Sequence, residues 1–185
     1  YIAWLFQGVA WQFGGSYSDP DFTMHLADEK TVAAGQFYKD SVHTDKWARP
    51  GKDITADFVG GFTAAAMMST GSMGGVKTNA TFDFGTAFLP KKEQFGCCTG
   101  GAGLAILSTS AEATRPAAMK YIAFASSPEQ TTFWAKNTGY MPVRKSALES
   151  QEMQDYFTEF PQFKTATDQL ALTKPQDSAR VFVPN

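Results

Sequence analysis

Three short apolar, extended-looking runs set the strongest limit on what this chain can become: Phe62 to Met68, Phe82 to Leu89 before Pro90, and Gly101 to Leu107. Each has a strand's length and composition, and the stretches around them carry helical spacing more often than hairpin turns. That order predicts an α/β domain, rich in helix, with a small sheet of mixed order. At 185 residues with 43% apolar content, the chain has enough material to bury about 70% of its unfolded surface.

The helices are marked at their ends. A first helix runs to Phe13 and closes at Gly14-Gly15. Thr23 to Leu26 alternates like a short strand. Asp28 with Thr31 then opens a helix whose apolar positions Val32, Phe37, Tyr38 and Val42 are expected to face inward. A short helical turn from Asp57 ends at Gly60-Gly61. Glu112 to Ala125 reads as an amphipathic helix with Met119, Ile122 and Ala123 on its inner side. Ser127-Pro128-Glu129 starts the next helix, which ends near Asn137 to Pro142. Glu149 to Phe160 and Gln162 to Leu172 are two more, divided by Pro161. The opening Tyr1 to Gln7 starts inside a helical pattern with no cap or leader, and Arg180 to Asn185 stops inside an extended or turning one, so a piece of a longer protein is expected.

Charge and composition narrow the chemistry. Sixteen basic and eighteen acidic side chains leave a net charge of -2, with no run of like charges suited to nucleic acid. No apolar run approaches the roughly 18 to 20 residues of a membrane span. The two cysteines, Cys97 and Cys98, are adjacent and make no disulfide framework, and their role has no explanation from the sequence. Only His25 and His43 are available for acid–base work, each expected to be structural, and no cluster has metal-ligand spacing. Gly71 to Lys77 lacks the order of a phosphate-binding NTPase loop. No cofactor, metal or catalytic residue is therefore expected.

What remains are features suited to holding a small polar molecule. Ser69-Thr70-Gly71-Ser72, leading from an extended run into a helix, can offer hydroxyls and backbone N–H groups to an anion, or can be an ordinary cap. Cys98 to Gly103 is a glycine-rich loop that permits close backbone approach, or a tight packing turn. Thr138-Gly139-Tyr140-Met141-Pro142 fixes a phenol at a helix exit.

Taken in order, these stretches resemble a known family. Gly100 to Leu104, then Ala125 to Trp134, then Thr138 to Val143, together with Ala10 to Gly15, Phe58 to Met67 and Ala179-Arg180-Val181, resemble the family-1 extracellular solute-binding proteins of ABC importers. Within that family the chain is most similar to binders of glycerol 3-phosphate and glycerophosphodiesters such as glycerophosphocholine. The resemblance implies a two-lobed fold like that of periplasmic binding proteins. Residues 1–185 would form a single C-terminal lobe, incomplete at both ends, with the N-terminal lobe and signal absent.

It also implies a site. Ser69, Gly101, Tyr140 and Arg180 would face the phosphate, and Trp4 would wall the glycerol or head-group part, with Trp11 as the alternative for that wall. A tryptophan face suits a quaternary ammonium. The expected protein is a non-catalytic, monomeric receptor for a polar small molecule, working with the membrane subunits of an ABC importer. Its expected location is extracytoplasmic, in the periplasm or as a cell-surface lipoprotein. Two other readings compete: an oligosaccharide binder of the maltose or trehalose type, favoured by four Trp and six Tyr, and an enzyme acting on phosphate esters.

Overall fold

The computed structural model describes residues 2–182; Tyr1 and the expected extended tail beyond Phe182 lie outside the described residues. The chain divides into two compact units. The first comprises Tyr1–Met68, Ala87–Thr99 and Asp168–Asn185, the second Ser69–Thr86 and Gly100–Thr167.

In the first unit, α1 (Ile2–Gln12) ends where Gly14 takes φ 78°, a left-handed turn of the kind the Gly14-Gly15 pair was read to supply. It packs on α2 (Glu29–His43) through Val9, Phe13 and Ala34, with Phe6, Ala33, Tyr38 and Met67 around them. The inward face of α2 differs from expectation. Thr31, Ala34 and Ser41 are its buried residues, while Val32 and Phe37 are exposed. Thr31 is inward because its hydroxyl bridges the backbone of Ser16, donating to the carbonyl at 3.0 Å and accepting from the N–H at 3.3 Å. The small residues let the two helices approach closely. α3 (Ile54–Val59) is capped by Asp53, which accepts from Ala56 N–H at 2.9 Å.

The second unit is helical. α4 (Met73–Asn79), α5 (Arg115–Ala125), α6 (Pro128–Thr138), α7 (Lys145–Leu148) and α8 (Gln151–Glu159) follow in chain order. Its core joins Met73, Ala135, Met153, Tyr156, Phe157 and Phe163, with Phe84, Leu148 and Phe160 against them. Ser127 caps α6 and Ser150 caps α8, each hydroxyl accepting a backbone N–H, from Gln130 at 3.3 Å and Met153 at 3.2 Å. Pro161 follows the end of α8 as expected, but Gln162 to Leu172 is not one helix: a 3₁₀ turn at Pro161–Phe163, α9 (Thr165–Gln169) and a second 3₁₀ turn at Leu170–Leu172 take its place, with α9 straddling the division between units. On α5 the expected inner face is not formed: Met119 and Ala123 are exposed, Ile122 is half-buried, and no residue of the helix is buried.

The small mixed sheet is also not formed among the described residues. Phe62 to Met68, Phe82 to Leu89 and Gly101 to Leu107 carry no regular secondary structure, with bends at Phe62, Ala64 and Phe82, and make no ladder. Two isolated bridges occur, Ser18 with Met24, antiparallel, and Cys98 with Lys174, parallel. A strand needs a neighbour about 4.8 Å away to take its N–H and C=O groups. Along Phe82 to Leu89, one backbone group is met by a side chain, Leu89 N–H donating to Gln169 Oε1 at 3.3 Å, and the Thr86 hydroxyl ties the run to the Gln162 carbonyl at 2.9 Å.

Candidate functional site

Trp4 and Arg180 both belong to the first unit. Trp4 stands half-buried on α1. Its carbonyl accepts from Cys98 Sγ at 3.1 Å, and the neighbouring Ala3 carbonyl accepts from the Tyr17 hydroxyl at 2.7 Å. Arg180 lies in a 3₁₀ turn, Ser178–Phe182, also half-buried. Its charge is felt by both Tyr17 and Cys98. Burial pushes the Tyr17 phenol up to about 12, with the Arg180 guanidinium pulling the other way. Burial, helped by Cys97, likewise pushes the Cys98 thiol up to about 12, again opposed by Arg180. Tyr17 and Cys98 are thus each bonded to a carbonyl near the start of α1 and each lie within the electrostatic reach of Arg180.

Trp11 has a different position. Its side chain is 0% exposed, and its indole N–H donates to the Asp177 carboxylate at 3.0 and 3.2 Å. The Lys174 ammonium sits 4.4 Å from its ring centre. It is a core residue, closed off from any ligand.

Ser69, Gly101 and Tyr140 belong to the second unit. Ser69 Oγ accepts from Gly71 N–H at 3.2 Å and caps the 3₁₀ turn Thr70–Ser72, so the stretch does act as a cap. That bond uses one of the two lone pairs of the hydroxyl oxygen. Gly139 closes α6 with φ 91°, and a Cβ there would lie 2.5 Å from Thr70 C=O and from Met73 Cβ. The glycine therefore sets the direction in which Tyr140 leaves the helix. Its phenol lands on Gly71, where an added Cβ would lie 2.7 to 3.0 Å from the ring and hydroxyl. Ser69 and Tyr140 are in this way brought to either side of Gly71. Gly101 is exposed at the start of the run to Leu107, and a Cβ on it would meet nothing within 4 Å.

The other polar features lie elsewhere. A depression of about 370 Å³ in the first unit is lined by Gly14, Ser16, His25, Asp28 and Lys30 among others, and one of about 460 Å³ in the second by Lys77, Lys136, Glu152, Tyr156 and Phe160 among others. Neither includes Trp4, Ser69, Gly101, Tyr140 or Arg180. His25 is held between Asp28 (Nδ1, 2.8 Å) and Asp19 (Nε2, 3.0 Å), which raises its pKa above the ordinary imidazole value. Among the described residues no group of three or more His, Cys, Asp or Glu is arranged to hold a metal ion, and no helix is long and apolar enough to cross a membrane.

Sequence reasoning missed Tyr17 and Asp177, and it had Cys98 only as the start of a glycine-rich loop. For Asp177 the available signal was its place three residues before Arg180. For Tyr17 there was none, because its contacts are with residues far away in sequence.

The chain matches the model of bacterial extracellular solute-binding proteins over residues 2–162, and it belongs to that family. Among its relatives is the sn-glycerol-3-phosphate-binding periplasmic protein UgpB of Escherichia coli K12, 29% identical over 128 residues, covering 66% of this chain and 29% of that protein. A solved structure of UgpB from Mycobacterium tuberculosis in complex with glycerophosphocholine is 44% identical, with a TM-score of 0.93, covering 99% of this chain and 47% of that one. The cyclic α-maltosyl-1,6-maltose binding protein of Arthrobacter globiformis has the same fold at 22% identity, with a TM-score of 0.70 over 95% of this chain and 45% of that protein. This chain therefore spans about half the length of the solved relatives and under a third of the curated one.

Proposed function

We propose that this chain is the C-terminal lobe of a substrate-binding protein that captures a glycerophosphodiester such as glycerophosphocholine, or glycerol 3-phosphate, for an ABC importer. The observation that carries this reading is the 44% identity over 99% of the chain to a protein solved with glycerophosphocholine. Residue chemistry adds support, since the cation of Arg180 and the indole of Trp4 suit the two ends of that ligand. In this reading Arg180 offers its planar fork to the phosphate, and Tyr140, Ser69 and the Gly101 N–H add hydrogen bonds. Trp4 faces the choline or glycerol part, where an aromatic surface attracts a quaternary ammonium. The N-terminal lobe and signal belong to the rest of the polypeptide.

The protein works outside the cytoplasm, in the periplasm or as a cell-surface lipoprotein, as a monomer. It hands its ligand to the importer's membrane subunits unchanged. For a sugar as ligand the comparisons offer only the fold, because the maltose-type relatives are 22% identical or less.

Isothermal calorimetry on the full-length protein with glycerophosphocholine, glycerol 3-phosphate and maltose tests the reading. Binding of a phosphate ester without release of phosphate or choline is expected. Arg180→Ala should weaken it about 10- to 100-fold, the value of a charge-assisted hydrogen bond of about 1.5 to 3 kcal/mol. Tight binding of maltose alone, or an Arg180→Ala variant that binds the ester like wild type, would overturn it.

A further inference from the structure

The Arg180 turn is fastened by one carboxylate. Asp177 accepts the Trp11 indole N–H at 3.0 and 3.2 Å on its two oxygens and the Tyr17 backbone N–H at 2.7 Å. Its own N–H donates to Gln7 Oε1 at 2.8 Å, and its carbonyl accepts from Arg180 N–H at 2.9 Å. Two residues on, Ala179 N–H donates to Ser18 Oγ at 3.0 Å. The surroundings are dry: Gln7, Trp11 and Ala179 are 0% exposed and Tyr17 is 1%. The same set of bonds reaches α1, which carries Trp4, through Gln7 and Trp11.

The identity of the side chain matters. Two buried donors, from Trp11 and Tyr17, converge on it, and a carboxylate is the one side chain of this length that has acceptors on both branches and no donor. An asparagine would turn an NH₂ toward one of those donors. An apolar residue would leave both donors buried without partners.

We propose that Asp177 is a positioning residue for phosphate recognition: with Gln7 and Ser18 it locks the turn bearing Arg180 against α1, so that the guanidinium is presented to the ligand in one orientation. This inference rests on the proposed role of Arg180. It goes further in assigning specificity to a residue that does not touch the ligand. An arginine on a loose turn would keep its charge but lose the fixed orientation in which its planar fork meets two oxygens of one phosphate at once.

A double-mutant cycle on the full-length protein tests it, reading the Kd for glycerophosphocholine in wild type, Asp177→Asn, Arg180→Ala and the double variant. If Asp177 acts through Arg180, Asp177→Asn weakens binding about tenfold in the wild-type background and less than about twofold when Arg180 is already alanine. A purely structural effect gives the same factor in both backgrounds, and that result would overturn the proposal, as would an Asp177→Asn protein that binds like wild type. If Arg180→Ala alone leaves binding unchanged, the ligand reading fails and this inference with it. Should Asp177→Asn not fold, Ser18→Ala, which removes the tether to Ala179, takes its place in the cycle with the same expected and overturning outcomes.

Discussion

Gly139 and Gly71 show how single residues decide where the second unit's polar groups point. At φ 91° Gly139 occupies a region costly for a side chain, and its missing Cβ leaves room for Thr70 and Met73. Gly139→Ala should cost about 1 to 3 kcal/mol in urea unfolding. Gly71→Ala is predicted to act differently, because the atoms it meets belong to the Tyr140 ring, which is half-buried and can turn aside. That variant should bind glycerophosphocholine more weakly by calorimetry while its unfolding midpoint moves little. Both glycines were visible in the sequence as turn formers, yet the contact between Gly71 and Tyr140 spans about seventy residues and no local pattern carries it. The choice between Trp4 and Trp11 was hidden for a related reason. They lie two turns apart on one face of α1, so periodicity treats them alike, and the partner Asp177 at the far end of the chain separates them.

At the scale of elements, local signals were sufficient wherever the forming interactions are local. Ser127-Pro128-Glu129 opens α6, and Pro161 falls between α8 and the turns that follow it. Ser127→Ala and Ser150→Ala should each cost about 1 kcal/mol by thermal or urea unfolding, the usual worth of such caps. Strands could not be read the same way. Their residues specify an extended backbone, but a ladder depends on a second segment, and none is supplied to Gly101 to Leu107 among the described residues. The inner face assigned to α5 failed likewise, since an amphipathic pattern states which side could be covered and not what covers it. The loop before α2 offers a pH test. His25 lies between Asp19, in the turn, and Asp28, at the helix start, and both raise its pKa in the folded chain. Its contribution is therefore complete below the ordinary value of about 6.5 and is lost as pH rises through the folded value. Wild type should melt above His25→Asn at about pH 5.5, and the two should converge by about pH 9.

For the whole molecule, family membership was legible because it rests on motif order along the chain, which needs no knowledge of contacts. The same order suggested Trp4 and Arg180, and the structure adds a backbone bond at each: Cys98 Sγ to the Trp4 carbonyl and Arg180 N–H to the Asp177 carbonyl. A ligand that binds only the folded state must raise its stability. Glycerophosphocholine at about 100 times its Kd should add about 2.7 kcal/mol to unfolding of the full-length protein, read as a rise in melting temperature that maltose does not produce.

The adjacent thiols give the protein a reporter of its own unfolding. Cys98 is buried, Cys97 is half-buried, and both have pKa values raised by burial, so neither offers much thiolate at neutral pH. Once the chain opens, each returns to an ordinary thiol near 8.5 and becomes reactive. A chromogenic disulfide added to the native protein should therefore release colour at the rate of opening, and a bound ligand should slow it. The two thiols thus supply a built-in clock for opening of the part of the first unit that carries them.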